Sequence, residues 1–554
     1  MAHANLPVQP PVDFTTHPDS YRHWKLEIDG AIATLKLSVE LNGGLRPDYE
    51  LKLNSYDLGV DIELADAIRR VRFEHPSVRV VVVTSDVPRV FCAGANIRML
   101  ATSSHGFKVN FCKFTNETRC EFEDMSRNSG VKFVAAVNGA CAGGGYELAL
   151  ACDKIFLMDD GSSTVSLPEV PLLGVLPGTG GLTRLVDKRK IRRDHADLFC
   201  TKAEGFRLRD AKKMNLVDGG WPRSKWNDNV GAAISSMVGD GAPAVEGIKL
   251  SPVSASRDGN TIEYTWVKVD IDPAGRLANV TMKGPDGGAP SSHEDLQASA
   301  DDAWVLRAWR QLDDALLHLR FNHPNIGLLV LRTEGNSDAV IAHDDALSKL
   351  RADGSWLARE VQLHQARVLR RLDNMARSIF ALIEPGSCFA GSMFELALAA
   401  DRQYMLDDPD QPNFVRLGSV NDRTMLTLNG KSRLQVRFLD DSESADAALD
   451  TAGEDLDPMA AADLGIVTLS LDDIDWEDEV RIAIEERVSL SPDALTGMEQ
   501  NLRFAGSENC DTKVFGRLTA WQNWIFQRPN AVGERGALTM YGHPEKPIFD
   551  WTRT

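Results

Sequence analysis

The stretch that decides the fold spans residues 137–169, which begin Val-Asn-Gly-Ala-Cys-Ala-Gly-Gly-Gly-Tyr-Glu and end Ser-Leu-Pro-Glu. The apolar run 131–137 before it predicts a buried strand, and residues 147–151 predict a helix. Between them lie Gly143, Gly144 and Gly145, where the lack of a Cβ lets the backbone approach a ligand closely. The first N–H groups of a helix have no intrahelical partner, so this turn can bind an oxyanion or a phosphate.

Two carboxylates flank this turn. Glu147 lies in the first helical turn, and Glu169 follows Pro168. An acidic residue in a first turn usually complements the helix dipole at the surface. Residues 146–152 are so apolar, however, that their helix should be buried, and a buried carboxylate needs a reason. Paired carboxylates beside an oxyanion site suit proton transfer next to an activated carbonyl.

Composition bounds the class of protein. The chain has 554 residues, of which 43% are hydrophobic and 25% charged, as in ordinary globular proteins. Its formal net charge of −19 argues against a nucleic-acid-binding protein. The N-terminal 20 residues carry no apolar core of a signal peptide. Eight cysteines without a CxxC pair indicate reduced thiols, and we therefore expect a cytoplasmic location without a membrane span. The twelve histidines form no HExxH motif, so no metal site is predicted.

Strands and helices alternate along the first half, which predicts an α/β architecture. Residues 24–28 and 32–37 flank an Asp-Gly turn and predict a hairpin. Residues 61–73 have helical spacing, and 78–83 form a β-branched run typical of a strand covered on both faces. The loop Phe91-Cys-Ala-Gly-Ala-Asn-Ile follows, and a helix over 108–125 leads into the glycine turn.

The same order of motifs returns downstream. Phe73-Glu-His-Pro is echoed by Phe321-Asn-His-Pro, and Tyr146-Glu-Leu-Ala-Leu-Ala by Phe394-Glu-Leu-Ala-Leu-Ala, both at an offset of 248 residues. A shared offset at two distant places indicates a tandem duplication. We therefore predict an N-terminal arm at 1–20, a catalytic domain at 21–250, a degenerate copy at 260–471 and a helical C-terminal region at 472–554.

The second copy differs from the first at the site. Val340-Ile-Ala-His-Asp stands near the position of the Phe91 loop, and Gly391-Ser-Met replaces the three glycines. Glu395 matches Glu147, but no glutamate near 414–417 matches Glu169. We expect the second copy to have kept its fold and lost its site.

Three motifs resemble the crotonase (enoyl-CoA hydratase/isomerase) superfamily in order and spacing. They are Phe91-Cys-Ala-Gly-Ala-Asn-Ile, Asn138-Gly-Ala-Cys-Ala-Gly-Gly-Gly-Tyr-Glu-Leu-Ala, and Ser166-Leu-Pro-Glu followed by Pro177-Gly-Thr-Gly-Gly-Leu-Thr-Arg-Leu. The resemblance implies tandem ββα-spiral domains. The duplicated length is similar to one branch, the ring-opening lyases that act on epoxidised benzoyl-CoA in aerobic benzoate breakdown and release formate.

The resemblance also implies residue roles. The two backbone N–H groups of the family's oxyanion hole map to Ala95 and Gly144, and its two carboxylates map to Glu147 and Glu169. Cys112 lies on the helix between the oxyanion loops, a region that borders the acyl pocket in the family, and it is a candidate for an extra proton-handling group. A free cysteine is also among the residues most often simply buried.

The CoA phosphates need local positive charge in an acidic chain. Lys52, Arg98 and the backbone of Gly143 occupy regions that contact CoA in relatives. The densest basic run comprises Arg184, Lys188, Arg189, Lys190, Arg192 and Arg193, although such runs are usually solvated helix faces. Asn96 stands where the family often has aspartate, which leaves its role open.

The resemblance implies an acyl-CoA substrate with an aromatic acyl group, no cofactor beyond the substrate's own CoA moiety, and a homodimer. Two alternatives remain open. One is an enoyl-CoA hydratase or isomerase with an added domain, which hydration of crotonyl-CoA would favour. The other is a non-catalytic acyl-CoA-binding scaffold, which the complete set of first-copy motifs disfavours.

Overall fold

The computed structural model describes residues 9–238, 245–504, 506, 508 and 510–554. The chain divides into two compact units, Met1–Pro252 and Val253–Thr554. This division falls between the domains predicted at 21–250 and 260–471. No helix in the described ranges is long and apolar enough to cross a membrane.

The first unit contains eight strands within residues 9–238 and 245–252. They are β1 Trp24–Asp29, β2 Ile32–Leu37, β3 Val80–Ser85, β4 Arg89–Cys92, β5 Lys132–Val137, β6 Gly139–Ala142, β7 Lys154–Leu157 and β8 Thr164–Ser166. One sheet has the order β1-β2-β3-β5-β7, antiparallel only at the predicted β1–β2 hairpin. A second, parallel sheet has the order β4-β6-β8. Because β6 directly follows β5, the chain passes from one sheet to the other just before the glycine turn.

The helices of the first unit connect these strands. The α-helices are Leu58–Phe73, Ile97–Thr102, His105–Asp124, Gly144–Ala151, Glu169–Leu173, Gly181–Thr183, Arg193–Cys200, Leu208–Lys213 and Trp226–Val238. Short 3₁₀ turns lie at Pro18–Ser20, Lys52–Asn54 and Arg223–Lys225, and π-turns at Met125–Ser129 and Arg184–Lys188. The last α-helix closes the core, because Trp226, Val230 and Ile234 pack on Val80 and Val134 of the larger sheet.

The N-terminal arm is ordered over its described part. Val12 is buried, and the ring of Phe14 lies 5.5 Å from that of Phe114 on the helix His105–Asp124. Two apolar side chains therefore anchor the described part of the predicted arm, residues 9–20.

The second unit contains one sheet in the described part of the chain. Its strands are β9 Ser256–Asp258, β10 Thr261–Glu263, β11 Val267–Asp272, β12 Leu277–Lys283, β13 Leu328–Glu334, β14 Ser378–Ile383, β15 Arg402–Asp407 and β16 Leu469–Asp472. They follow one another in sequence order across the sheet. Strands β11 to β15 repeat the order of β1, β2, β3, β5 and β7, including one antiparallel hairpin and then parallel neighbours.

The second unit is richer in helix. Its α-helices are His293–Ser299, Trp304–Asn322, Ser337–Ala352, Trp356–Asn374, Gly391–Ala399, Arg433–Arg437, Ser442–Leu449, Pro458–Asp463, Trp476–Ser489, Pro492–Arg503, Cys510–Lys513, Thr519–Ile525 and Pro529–Val532. Short 3₁₀ turns lie at Ala300–Asp302 and Ser419–Asn421, and a π-turn lies at Val514–Leu518.

The boundary predicted at 471 falls too early. Trp476 and Val480, on the helix Trp476–Ser489, pack on Leu328, Val330 and Phe380 of the second sheet. This packing matches that of Trp226–Val238 on the first sheet, so the helix completes the second copy. Only the helices after it extend beyond the repeat, and Glu499 among them reaches back to accept a hydrogen bond from Ser378 Oγ in the same unit.

The copies differ most where the small sheet stands in the first unit. The second copy has the helix Ser337–Ala352 in the region of β4 and the oxyanion loop. No second three-stranded sheet occurs in the described ranges. The second copy thus retains the large sheet and has lost the strands that hold the oxyanion loop against the glycine turn.

Candidate active site

Ala95 lies in a loop that is fixed to the turn before the first long helix. The Tyr56 N–H donates to Gly94 O at 3.0 Å, and the Asn96 N–H donates to Tyr56 O at 2.8 Å. These bonds form a parallel bridge between Tyr56 and Ala95. In such a bridge the Ala95 N–H projects to the side opposite Tyr56 and is not used. This N–H is therefore available to donate a hydrogen bond to a ligand's oxygen.

The second donor lies at the start of the helix Gly144–Ala151, whose N-cap Gly143 has φ +55°. Gly144 is the first helical residue, so its N–H lacks an intrahelical partner. Gly94 has φ +87°, and a Cβ there would lie 2.7 Å from Gly144 N. The two donor-bearing segments are thus in backbone contact, and a glycine at 94 is required for their approach.

Asn96 fixes the loop that carries Ala95. Its Oδ1 caps the helix Ile97–Thr102 by accepting from Met99 N at 2.9 Å. Its Nδ2 donates to Glu50 O at 2.8 Å and to Ser55 Oγ at 3.1 Å. An aspartate could not make the two donations, which gives a structural reason for the amide at this position.

Glu147 is buried and fixed by three hydrogen bonds. Its Oε1 accepts from Thr179 N at 2.9 Å and from Gly181 N at 2.8 Å, and its Oε2 accepts from Thr179 Oγ1. Burial raises the pKa of Glu147, while these three donors, with the charge of Arg119, oppose the rise. The three hydrogen bonds therefore hold the carboxylate in one orientation.

Glu169 borders the same glycine turn, at the start of the helix Glu169–Leu173. A Cβ on Gly143 would lie 2.9 Å from its Oε1. Its Oε2 is buried without a hydrogen-bond partner in the described chain. Burial, followed by the charge of Glu147, raises the pKa of Glu169 to about 7. The carboxylates are therefore electrostatically coupled, and the pKa of Glu169 lies near neutral pH.

Cys112 is half-buried on the helix His105–Asp124. Burial, followed by the charges of Glu147 and Asp61, raises the pKa of its thiol to about 11. It lies within electrostatic range of Glu147 and stays protonated at neutral pH. Its chemistry at this place is that of a neutral thiol, not of a thiolate nucleophile.

The predicted CoA-contacting cations differ in their surroundings. Lys52 is exposed and pairs with Glu50, with 2.8 Å between Nζ and Oε2. Arg98 is exposed on the helix after the oxyanion loop. In the basic run, Arg184 and Lys188 both pair with Glu123, and Arg189, Arg192 pair with carboxylates as well. Lys190 and Arg193 are exposed, and they are the members of the run most accessible to a phosphate.

In the second copy, the chain's own side chains bind the groups that correspond to Gly144 and Glu147. Ser392, the counterpart of Gly144, donates its N–H to Asp344 Oδ2 at 2.7 Å. Glu395, the counterpart of Glu147, accepts from Asn421 Nδ2 at 2.7 Å and lies 3.4 Å from Arg433 Nε. The backbone N–H of Ser392 is therefore already bound to the carboxylate of Asp344 and is not available to a thioester oxygen.

Groups of His, Cys, Asp and Glu able to hold a metal ion are absent from the described part of the chain. All eight cysteines are free.

A curated relative, the benzoyl-CoA-dihydrodiol lyase of Aromatoleum evansii, is 52% identical over 552 residues, which cover 99% of each chain. The chain belongs to the benzoyl-CoA-dihydrodiol lyase family. It is accordingly an enzyme, a lyase of the crotonase superfamily, and residues 47–264 match the family model for enoyl-CoA hydratase/isomerase.

Two further proteins are similar to part of this chain. The fatty acid oxidation complex subunit alpha of Shewanella loihica is 34% identical over 202 residues, which cover 36% of this chain and 26% of that protein. A crystal structure of an enoyl-CoA hydratase from Bacillus anthracis is 23% identical, with a TM-score of 0.34, and covers 40% of this chain and 78% of that chain.

Two side chains that contact this site, Thr179 and Tyr56, were not predicted from the sequence. Thr179 binds Glu147 with both its backbone and its hydroxyl, and the signal was present in the Pro177-Gly-Thr-Gly-Gly motif. Tyr56 carries no sequence signal, because a single aromatic residue after Asn54-Ser55 is indistinguishable from a core residue.

Proposed function

We propose that this enzyme opens the ring of 2,3-epoxybenzoyl-CoA to 3,4-dehydroadipyl-CoA semialdehyde and formate. The observation that carries the proposal is the pair of coupled carboxylates, Glu147 and Glu169, at a glycine turn whose backbone contacts the Ala95 loop. The full-length similarity to a protein named benzoyl-CoA-dihydrodiol lyase supports the choice of an aromatic CoA thioester.

The thioester oxygen would accept hydrogen bonds from the N–H groups of Ala95 and Gly144. These donors stabilise the negative charge that develops on that oxygen as electrons move from the ring towards the carbonyl. Fixed backbone donors need no reorganisation during the reaction, and loss of one such donor typically costs about 3 kcal/mol of barrier.

Glu147 and Glu169 then divide the proton transfers. Glu147, oriented by the backbone N–H groups of Thr179 and Gly181, takes a proton from the attacking water. Glu169, protonated near neutral pH, gives a proton to the substrate. The thiol of Cys112 supplies a further proton-handling group for the additional transfers that carbon–carbon cleavage requires beyond simple hydration.

The overall conversion consumes two water molecules and leaves the sum of oxidation states unchanged, since formate and an aldehyde arise from the epoxide carbons. The proposal therefore requires no oxidant, no reductant and no cofactor beyond the CoA of the substrate. Lys52, Arg98 and Gly143 are proposed to contact that CoA moiety.

The experiment that tests the proposal is formate release. Purified protein incubated with 2,3-epoxybenzoyl-CoA is expected to yield one formate per thioester consumed, measured with a coupled formate assay and by mass analysis of the CoA product. Consumption of crotonyl-CoA at a comparable rate, with no formate from the epoxide, would instead support the hydratase alternative. Turnover that survives Glu147→Gln together with Glu169→Gln would contradict the assigned chemistry.

We also propose that the enzyme is a cytoplasmic homodimer, with the second unit contributing to the interface. The C-terminal helices surround an apolar hollow of about 870 Å³, lined in part by Met498, Trp521 and Phe526. Leu502 is 67% exposed beside it. Such a contiguous apolar surface is typical of an interface, and a second copy is the partner we expect. Sedimentation equilibrium should give twice the chain mass, and a monomer at micromolar concentration would contradict the dimer.

A further inference from the structure

Tyr56 contacts both segments that form the proposed oxyanion site. Its backbone carries the two hydrogen bonds that fix the loop of Gly94 to Asn96. Its side chain reaches the other segment, because a Cβ on Gly144 would lie 2.0 Å from the Tyr56 hydroxyl oxygen. One residue therefore joins the Ala95 loop to the glycine turn, with its polar end at the glycine turn.

Tyr56 is only 3% exposed. Its buried hydroxyl has no hydrogen-bond partner in the described chain. Other buried tyrosines of the same unit are satisfied. Tyr49 donates to Asp57 Oδ2 at 2.6 Å, and Tyr146 donates to Leu216 O at 2.6 Å. A buried hydroxyl without a partner destabilises the folded chain, so folding alone does not explain the position of Tyr56.

The ring is held in place from two sides. The ring centroid of Phe111 lies 5.9 Å from that of Tyr56, and the guanidinium of Arg119 lies 5.3 Å from it. Arg119 is in turn fixed by the buried carboxylate of Asp61, with 2.5 Å between the charged atoms. The hydroxyl is thus preorganised and not free to swing towards another acceptor.

The phenol acts only as a neutral donor or acceptor at working pH. Burial, with the charges of Asp61 and Glu147, raises its pKa well above its ordinary value, while Arg119 opposes the rise. A neutral hydroxyl next to Gly144 suits an oxygen that gains negative charge, since hydrogen bonds to charged acceptors are about twice as strong as neutral ones.

We propose that the Tyr56 hydroxyl is a third hydrogen-bond donor to the substrate's thioester oxygen, beside the N–H groups of Ala95 and Gly144. This inference rests on the proposed function, because it requires a thioester at that position. In the ligand-bound enzyme this hydroxyl donates a hydrogen bond to the substrate oxygen, whereas the described part of the chain itself offers it no acceptor. Tyr56 is then a catalytic residue, since it touches the oxygen on which charge develops.

The variant Tyr56→Phe separates this role from a structural one. We expect kcat/KM for ring opening to fall at least about tenfold, with most of the loss in kcat, because a charge-developing donor is removed. The melting temperature is expected to stay constant or rise, since the variant deletes an unsatisfied buried hydroxyl. A purely structural tyrosine would show no kinetic loss.

Tyr49→Phe is the matched control, because it deletes the hydroxyl of a buried tyrosine seven residues away that already has its partner. We expect this variant to lower the melting temperature, because Asp57 loses a hydrogen bond, and to leave kcat within about twofold. Equal kinetic losses in the two variants would overturn the inference.

Infrared spectra give a readout that does not depend on turnover. Benzoyl-CoA labelled with ¹³C at the carbonyl should show a lower stretching frequency on wild-type enzyme than on Tyr56→Phe. Binding with the same frequency and the same kcat/KM in both proteins would overturn the role of Tyr56 alone. Failure of wild-type enzyme to bind benzoyl-CoA would overturn the proposed function as well.

Discussion

Glu169→Gln is expected to lower kcat for ring opening by about 10³-fold while increasing stability above neutral pH. Glutamine cannot release a proton, and general acid catalysis contributes about 10²–10⁴-fold. Stability moves in the opposite direction, because Glu169 is buried, lies in the field of Glu147 and has an orphan Oε2. The measurements are steady-state formate release and denaturant unfolding of both proteins between pH 4 and pH 9.

The sign of the pH effect follows from the raised pKa of Glu169, from 4.5 to about 7. The folded enzyme holds this proton more tightly than the unfolded chain. The stabilisation is therefore fully present below about pH 4.5 and is lost as the pH rises through about 7, a change on the order of 3 kcal/mol. Glu169→Gln should not show this loss of stability with rising pH. In the wild-type enzyme, kcat/KM should also fall above about pH 7, as the acid loses its proton.

Glu395→Gln is the control for this variant. Glu395 is a buried glutamate of the second copy, and its pKa is also raised to about 7, mainly by burial. Because its neighbourhood holds no free donor pair for a thioester, we expect turnover to stay unchanged. A loss of turnover in Glu395→Gln comparable to that in Glu169→Gln would contradict the assignment of catalysis to the first copy.

Gly94→Ala is expected to lower kcat/KM by about 10²–10³-fold, the effect of losing an oxyanion donor. The added Cβ would lie 2.7 Å from Gly144 N and 2.9 Å from Ala142 O, both of them backbone atoms that cannot rotate away. The φ of +87° adds strain for any residue with a side chain. The loop of Ala95 must therefore move away from the glycine turn. Kinetics with the epoxide and the affinity for benzoyl-CoA check this expectation.

Gly130→Ala is the matched control for backbone strain. Gly130 also has positive φ, +72°, but a Cβ there would meet nothing within 4 Å. This variant should lose roughly 1–2 kcal/mol of stability and keep full kcat/KM. If Gly94→Ala behaved like Gly130→Ala, the close contact of the two donor segments would have no role in catalysis.

Local patterns predicted much of the first unit. The hairpin Trp24–Leu37, the strand of Val80–Ser85 and the helix after the glycines all form where their periodicity placed them. The α/β fold of tandem copies was also predicted, because a shared offset of 248 residues survives divergence. The boundary at 471 was placed too early, because the packing of Trp476 on the second sheet is a tertiary contact that no local pattern reports.

The residues of the site that belong to sequence motifs could be predicted. Glu147, Glu169, Ala95 and Gly144 were chosen from three motifs, and their roles stay predictions until variants are measured. Other features depend on distances between segments far apart in sequence. The carboxylate of Asp344 accepts a hydrogen bond from the backbone N–H of Ser392, which lies 48 positions later in the sequence. The hydroxyl of Tyr56 lies next to Gly144, which is 88 positions away. Neither pair stands out in the sequence, since each residue alone is ordinary for a buried helix or loop.

The central claim is that backbone amides of the first unit bind the thioester oxygen. A crystal structure with benzoyl-CoA bound tests it most directly. The account predicts the thioester oxygen about 2.7–3.1 Å from the backbone nitrogens of both Ala95 and Gly144, with the ring next to Glu147 and Glu169. A thioester oxygen bound away from these two nitrogens, with the acyl group outside the space beside the two carboxylates, would contradict it.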